Sequence, residues 1–403
     1  MTNYIYSIVN VFSKVANTSL LFFVIINAVD KEIFGLFSYY QSLTLIMLVF
    51  IDYGFNLYMA KELTSTPKKN QIIFSQIIVI KAIASVTLIA FVGFGSVLKV
   101  IYSPSLLILV LIIGIINSFI GTYGVLFRNY GKFRSEAVIS FVMTLASIGV
   151  LFISGKITSN LLFLLFPFII FKFLHLLTMI WSLRNFMNTS HFNLNLFEYK
   201  QARILIKANF SYALHLTIGT LYFQIDTFIL KQFDSLDAVA EYTAAFKLIG
   251  IILVGTEVIT NVLVPKFSRL KQNESSSYLK KLNETKKKIT YSSLILILVF
   301  LVFSTLITDI IFPKEFENTN SLLIVLSVMV YFRFISTIPG IIITIENMQN
   351  YRTNIAILGL FTNTLLATIL VPFLSYYGAA ISSLLSAALI WGAYEILLKR
   401  KGF

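Results

Sequence analysis

The chain contains no cysteine. That excludes a disulfide framework, a thiolate nucleophile and zinc–thiolate sites. Only 3 histidines are present, so a structural zinc site lacks a ligand set as well. Charge is scarce: 12% of residues are Asp, Glu, Lys or Arg, against roughly 25% in an ordinary soluble domain. Within that set acids are outnumbered, 18 to 32. A phosphate-binding loop is missing. Its nearest approach, Gly149 with Gly155-Lys156, is one residue too long and is followed by Ile157 instead of Ser or Thr. No serine-nucleophile motif, paired catalytic carboxylates or metal-ligand cluster is visible. The chain therefore reads as a non-enzyme without a cofactor, and ATP bound to it is not its source of work. The N-terminus has no basic region ahead of a short apolar core and a small-residue cleavage site, so the first apolar run is expected to be a retained span.

What the chain has instead is apolar length. Of its 403 residues 57% are hydrophobic, and the mean hydropathy is +0.85. A membrane-crossing helix needs about 20 apolar residues. Twelve such stretches lie near 5–27, 34–53, 71–95, 104–126, 136–154, 160–182, 207–230, 238–264, 290–312, 320–343, 353–373 and 376–398. The expected fold is an all-α integral membrane protein of twelve transmembrane helices. The 38 Phe and 20 Tyr lie mostly within the apolar runs, so they form no nucleic-acid surface.

The net charge of +14 is better read as orientation than as affinity for nucleic acid. With the N-terminus inside, 22 of the 32 basic residues fall in cytoplasmic segments and 5 in outer loops. The richest cytoplasmic cluster is Lys280, Lys281, Lys286, Lys287 and Lys288. Both termini are then cytoplasmic. The longest polar segments are 183–206 and 265–289. The first divides the chain into a six-span half at 1–182, a cytoplasmic linker at 183–206 and a six-span half at 207–403. Gly35-Leu36-Phe37-Ser38-Tyr39-Tyr40 opens the second span and Ala240-Glu241-Tyr242-Thr243-Ala244-Ala245 opens the eighth, a faint parallel duplication.

Five basic residues remain inside the spans: Lys14, Lys81, Lys172, Lys247 and Arg333. Only two acids, Asp226 and Glu257, read as comparably deep. A charge at the bilayer centre costs roughly 2.5–3.5 kcal/mol on insertion scales and normally faces a bundle interior or wet cavity. The five cations are therefore candidates for a cavity that attracts an anion. Asn10, Ser13, Lys14, Asn17 and Thr18 share one face of the first span. That face either lines the cavity or makes interhelical contacts. Ser211, His215, Tyr222 and Asp226 share a face of the seventh span, and Asp226 either takes up a coupling ion or is satisfied by neighbours. Glu257 either carries a coupling proton or pairs structurally. Arg333 precedes Pro339-Gly340, whose expected helix break suits a gate. Asp52, with Gly54 and Asn56, marks either a gate or an ordinary capped helix end.

A family resemblance rests on several of these segments. They include Gly35-Leu36-Phe37-Ser38-Tyr39-Tyr40-Gln41-Ser42, then Ile51-Asp52-Tyr53-Gly54-Phe55-Asn56-Leu57 and Leu126-Phe127-Arg128-Asn129-Tyr130-Gly131-Lys132-Phe133. They continue with Leu221-Tyr222-Phe223-Gln224-Ile225-Asp226 and Val264-Pro265-Lys266-Phe267-Ser268-Arg269-Leu270. In this order they resemble the lipid-linked O-antigen flippases of Wzx type, in the polysaccharide exporter branch of the multidrug/oligosaccharidyl-lipid/polysaccharide superfamily. The resemblance implies two six-helix lobes in a V around a central cavity. It implies movement of undecaprenyl-pyrophosphate-linked repeat units across a bacterial cytoplasmic (inner) membrane. The implied partners are the lipid-linked oligosaccharide, a proton or sodium ion, the bilayer, and a polysaccharide polymerase with its chain-length regulator. Members differ in their cavities, so the roles of the intramembrane charges come from the residues alone. The competing readings are a cation-coupled drug or small-molecule exporter of the same superfamily and a membrane-embedded polymerase or ligase. The outer loops, each about 12 residues or shorter, leave little room for the latter.

Overall fold

The computed structural model describes residues 2–63, 67–99, 102–187, 192–273 and 275–402. The regular elements among them are helical: α1 Thr2–Ile26, α2 Lys31–Asp52, α3 Phe55–Glu62, α4 Pro67–Val97, α5 Pro104–Asn129, α6 Phe133–Ile157 and α7 Leu161–Met187. A 3₁₀ turn at Leu194–Leu196 follows, then α8 Tyr199–Phe233, α9 Leu236–Asn273, α10 Ser275–Ile311, α11 Thr319–Ile335, α12 Thr337–Ile345 and α13 Gln349–Arg400. In hydrocarbon every backbone polar group must be satisfied within the chain, which long apolar segments achieve only as helices. Eleven helical stretches among the described residues are long and apolar enough to cross a membrane, counting α2 with α3 and α11 with α12.

The last stretch, α13, is 52 residues long and folds back on itself. Ser375 leaves helical geometry at φ 53, ψ −135. Gly378 lies so close to the backbone of Leu370 and Val371 that a side chain there would stand 2.6–2.7 Å from it. Ser386 Oγ donates to Asn363 Oδ1 at 3.5 Å. Pairs whose numbers sum to nearly one value define an antiparallel helical hairpin, matching the apolar runs expected at 353–373 and 376–398.

The polar segments are also built into the fold. Residues 265–289 are helical on both sides of residue 274, because Phe267, Tyr278, Leu282 and Ile289 are buried together in one apolar cluster. At 1.5 Å per residue α9 and α10 run to about 57 and 55 Å, well beyond the roughly 30 Å of hydrocarbon. The 183–206 segment includes residues 188–191, which lie outside the described set. Its later part is pinned to α4: Gln76 Nε2 donates to Leu196 O at 2.8 Å, and the Asn193 N–H donates to Ser75 Oγ at 3.0 Å.

The chain forms two compact units, one of residues 1–33 and 40–220, the other of residues 34–39 and 221–403. In unit 1, α1 packs on α6, α6 on α7, and α5 on α3, α4 and α7. Its core gathers Phe55, Met59, Phe74, Phe127 and Met179. In unit 2, α11 packs on α9, α10 and α13, around Tyr222, Phe267, Ile341, Ile343 and Tyr394. Between helices in lipid, such packing and interhelical hydrogen bonds replace the hydrophobic effect as the source of cohesion.

Two breaks position the polar groups. Tyr53 (φ 41) and Gly54 (φ 70) are both left-handed and separate α2 from α3. At Gly54 any side chain would also meet Tyr212 Cβ at 2.6 Å, so only glycine fits. The second interruption is slight and falls at Ser336, between α11 and α12, where the angles stay helical (φ −71, ψ −15) one turn before Pro339. Pro339 is the third residue of α12, and the Gly340 N–H still bonds Ser336 O at 3.0 Å. Proline has no N–H to give the carbonyl four residues earlier, so one rung of the helical ladder is missing here.

Candidate functional site

Unit 1 holds two polar clusters. Lys81, on α4, is fully buried. Its ammonium donates to Asp52 Oδ1 at 2.9 Å, Ser118 O at 3.1 Å and Thr122 Oγ1 at 2.6 Å. All three protons are thereby used. Asp52, the last residue of α2, also accepts from Ser118 Oγ at 2.6 Å. The pair ties the α2–α3 break to α4 and α5. Asn56 joins through Thr122 Oγ1, 3.0 Å away.

The second cluster links α1, α5 and α6. Asn10 Nδ2 and Arg128 Nη1 each donate to Glu136 Oε1 at 2.5 Å. Glu136 is only 2% exposed. Lys14 acts on it electrostatically and is itself exposed. Asn17 Nδ2 donates to Ser147 Oγ at 3.1 Å. On α7, Lys172 is buried with its ammonium 5.5 Å from the Phe168 ring centroid. Neighbouring His175 is buried with Nε2 unbonded, and both Lys14 and Lys172 act on it electrostatically. The structure thus brings Asn10, Lys14 and Lys172 into one neighbourhood and sets Lys81 apart in a closed network.

Unit 2 also has two. Asp226, in α8, is 1% exposed. It accepts from Tyr242 Oη at 2.8 Å and Ser383 Oγ at 2.6 Å on Oδ2, and from Asn363 Nδ2 at 2.9 Å on Oδ1. Neutral donors from α9 and both arms of α13 hold this carboxylate, and it makes no ion pair among the described residues.

The second is a cavity of about 540 Å³ whose lining includes Phe223, Phe246, Glu257, Arg333, Arg352 and Tyr394. The Arg333 guanidinium lies 4.3 Å from the Tyr222 ring centroid and 4.9 Å from that of Phe223. Arg352 Nη1 donates to Thr344 Oγ1 at 3.1 Å. Glu257 is exposed, and Gly340 also lines this cavity, whereas Pro339 is buried. Lys247 is half-buried in α9 and is not among the lining residues.

The sequence reading counted too few deep acids. Glu136 and Glu241 are 2% and 1% exposed, and Asp52 neutralises Lys81. Glu136 stands in the first turn of α6, next to basic residues that read as a cytoplasmic loop. Glu241 accepts from Thr319 Oγ1 at 2.7 Å. Asn363, Tyr242, Ser383 and Arg352 were also missed. Ser382, Ser383 and Ser386 do carry a signal, small hydroxyls at helical spacing in an apolar run.

A Staphylococcus aureus protein described as "Capsular polysaccharide biosynthesis protein CapF" is 26% identical over 268 residues, 60% of this chain and 65% of that protein. An uncharacterized membrane protein of Methanocaldococcus jannaschii is 26% identical over 199 residues, 47% of this chain and 39% of its own length. The chain thus matches less than two thirds of either relative. Among solved structures, "Lipid II flippase MurJ, inward closed conformation" superposes with a TM-score of 0.77 at 14% identity, covering 98% of this chain and 87% of that one. An inward-facing multidrug resistance MATE family transporter of the MOP superfamily gives 0.73 at 12% identity, covering 96% of each chain. The chain is a multi-pass, all-helical membrane protein with the fold of these transporters. The sequence profile of the family described as "Polysaccharide biosynthesis protein" matches residues 4–271, well over half of the chain, and the chain belongs to that family.

Proposed function

We propose that this protein flips an anionic lipid-linked oligosaccharide across the cytoplasmic membrane of a bacterium by ion-coupled alternating access. The substrate is an undecaprenyl-pyrophosphate-linked repeat unit of O-antigen or capsule. Twelve crossings, with the two arms of α13 as the last two, leave both termini cytoplasmic, in agreement with the distribution of basic residues. Residues 1–182 and 207–403 act as the two six-span halves, joined by 183–206. Lys14, Asn10, Asn17, Lys172, Lys247 and Arg333 contribute to substrate binding. Lys81 braces the Asp52 gate region in the state seen here. Asp226 and Glu257 serve ion coupling, and the α11–α12 break beside Pro339 and Gly340 serves gating.

The observation that carries this reading is the burial of Lys172, of Asp226 and of the Nε and Nη2 atoms of the half-buried Arg333 within membrane-length helices, without an ion pair among the described residues. Intramembrane ionisable groups mark substrate and ion pathways. Family membership and the flippase fold support the same assignment. A drug exporter for organic cations is less well served by a cavity with two arginines and one glutamate. The test is leaflet distribution in cells lacking the gene. Lipid-linked repeat units should accumulate on the inner leaflet while surface polysaccharide falls. An unchanged distribution would sink the proposal.

A further inference from the structure

We infer that the unit 2 cavity is a carbohydrate subsite that selects a sugar bearing a single carboxylate, of the hexuronic acid class. The inference rests on the lipid-linked oligosaccharide reading and names the chemistry that one part of the substrate must carry. Its starting point is an unsatisfied group. Nε and Nη2 of Arg333 are both buried and have no hydrogen-bond partner in the protein. Charged donors left in that condition are costly, and they recur where a ligand completes the set.

The geometry of this edge defines its partner. The guanidinium is confined by two aromatic rings set at 85° to each other, its Cζ 4.3 Å from the Tyr222 centroid and 4.9 Å from that of Phe223. Nε–H and one Nη2–H then point in parallel, the arrangement that meets a planar carboxylate through two bonds. The charged lining residues are Arg333, Arg352 and Glu257, a net charge of +1. That balances one carboxylate. A pyrophosphate would bring more negative charge and face Glu257 as well. The pyrophosphate of a lipid-linked substrate is therefore assigned elsewhere, and this cavity takes a sugar.

The remaining walls suit a carbohydrate. Phe246 and Tyr394 are among the lining residues, and aromatic rings are the apolar partners that sugar C–H groups pack on. Glu257 is exposed, makes no ion pair among the described residues, and accepts hydrogen bonds from sugar hydroxyls. Thr256 and Thr260 donate their hydroxyl protons to carbonyls of α9, and Thr337 donates to Arg333 O one turn earlier, so they meet the ligand as acceptors. The volume of about 540 Å³ lies within the range of small-molecule sites. A side chain at Gly250, on the cavity wall, would meet no atom within 4 Å, so this space is open.

The test is calorimetric titration of the full chain in lipid nanodiscs with glucuronate, glucose and inorganic pyrophosphate. Glucuronate should bind about ten-fold tighter than glucose or better, a difference of about 1.4 kcal/mol. Arg333→Gln should remove that preference and Arg333→Lys should reduce it, because the charge survives but the fork does not. Gly250→Leu, which fills open space, should weaken glucuronate binding in a protein of unchanged melting temperature. Equal binding of glucuronate and glucose, binding of neither, or pyrophosphate binding that Arg333→Gln abolishes would each overturn the inference. Translocation of a lipid-linked oligosaccharide, measured on the same protein, separates the two claims. Intact flipping without sugar discrimination refutes the subsite alone. Sugar discrimination without flipping refutes the flippase reading and retains the subsite.

Discussion

Replacing Lys81 by methionine keeps the length of the side chain and removes its charge. Three donor contacts vanish, and Asp52 loses its counter-ion, retaining only the Ser118 hydroxyl 2.6 Å away. Breaking a buried ion pair from one side typically costs about 3–5 kcal/mol. Here the Asp52 side chain is 27% exposed, so water recovers part of the loss. The expected cost for Lys81→Met is therefore near the lower bound, about 3 kcal/mol. Asp52→Leu is the harsher change, because it strands an ammonium whose side-chain exposure is 0%. Removing both charges together leaves no stranded ion. The double variant should recover most of the loss, giving a coupling energy of about 2–4 kcal/mol. Equilibrium unfolding of the purified protein in detergent, run on all four members of the cycle, measures it. Single variants within about 1 kcal/mol of wild type, or strictly additive costs, would refute the claim that this pair braces the α2–α3 break.

Four further outcomes are expected. Gly54→Ala should cut membrane yield and melting temperature sharply, since the φ of 70 costs about 1–2 kcal/mol in any L-residue and the new Cβ would stand 2.6 Å from Tyr212 Cβ. Ser147→Ala, which removes a neutral interhelical bond from Asn17 and a bond within the helix to Thr144 O, should cost about 0.6 kcal/mol for the interhelical bond by the same unfolding assay. Tyr242→Phe should destabilise by about 1.5–3 kcal/mol, because it removes a bond to a charged acceptor; Asp226→Asn should leave transport insensitive to an imposed proton or sodium gradient, and a wild-type response would exclude Asp226 as the carrier.

The fold was legible because lipid leaves few options. Apolar runs of about 20 residues must be helices, and nearly every run recurs as a helix at its expected place. Helical extent beyond the apolar runs was less legible. Residues 265–289 read as a polar segment, yet Phe267, Tyr278, Leu282 and Ile289 are spaced to keep them helical and packed. At Pro339 the interruption is confined to Ser336, which keeps helical angles.

The site was legible in kind but not in pairing. Lys81, Lys172, Asp226 and Arg333 stand out in any hydropathy scan because charge is costly in lipid. Their partners do not. Asp52 and Lys81 are 29 residues apart, Asn10 and Glu136 are 126 apart, and Asp226 and Ser383 are 157 apart. No local periodicity connects such positions. Only packing shows that Lys81 is spent on an ion pair while one edge of Arg333 is left without a partner.

The central claim is that this chain moves a lipid-linked oligosaccharide between leaflets. Its most direct test is reconstitution into vesicles carrying a fluorescently tagged undecaprenyl-pyrophosphate-linked oligosaccharide, with an impermeant quencher reporting exposure on the outer leaflet. The account predicts a quenching phase absent from protein-free vesicles, faster under an ion gradient and lost in a Lys172→Ala/Arg333→Ala protein of normal fold. Exchange no faster than in protein-free vesicles, with the folded chain present, would contradict it.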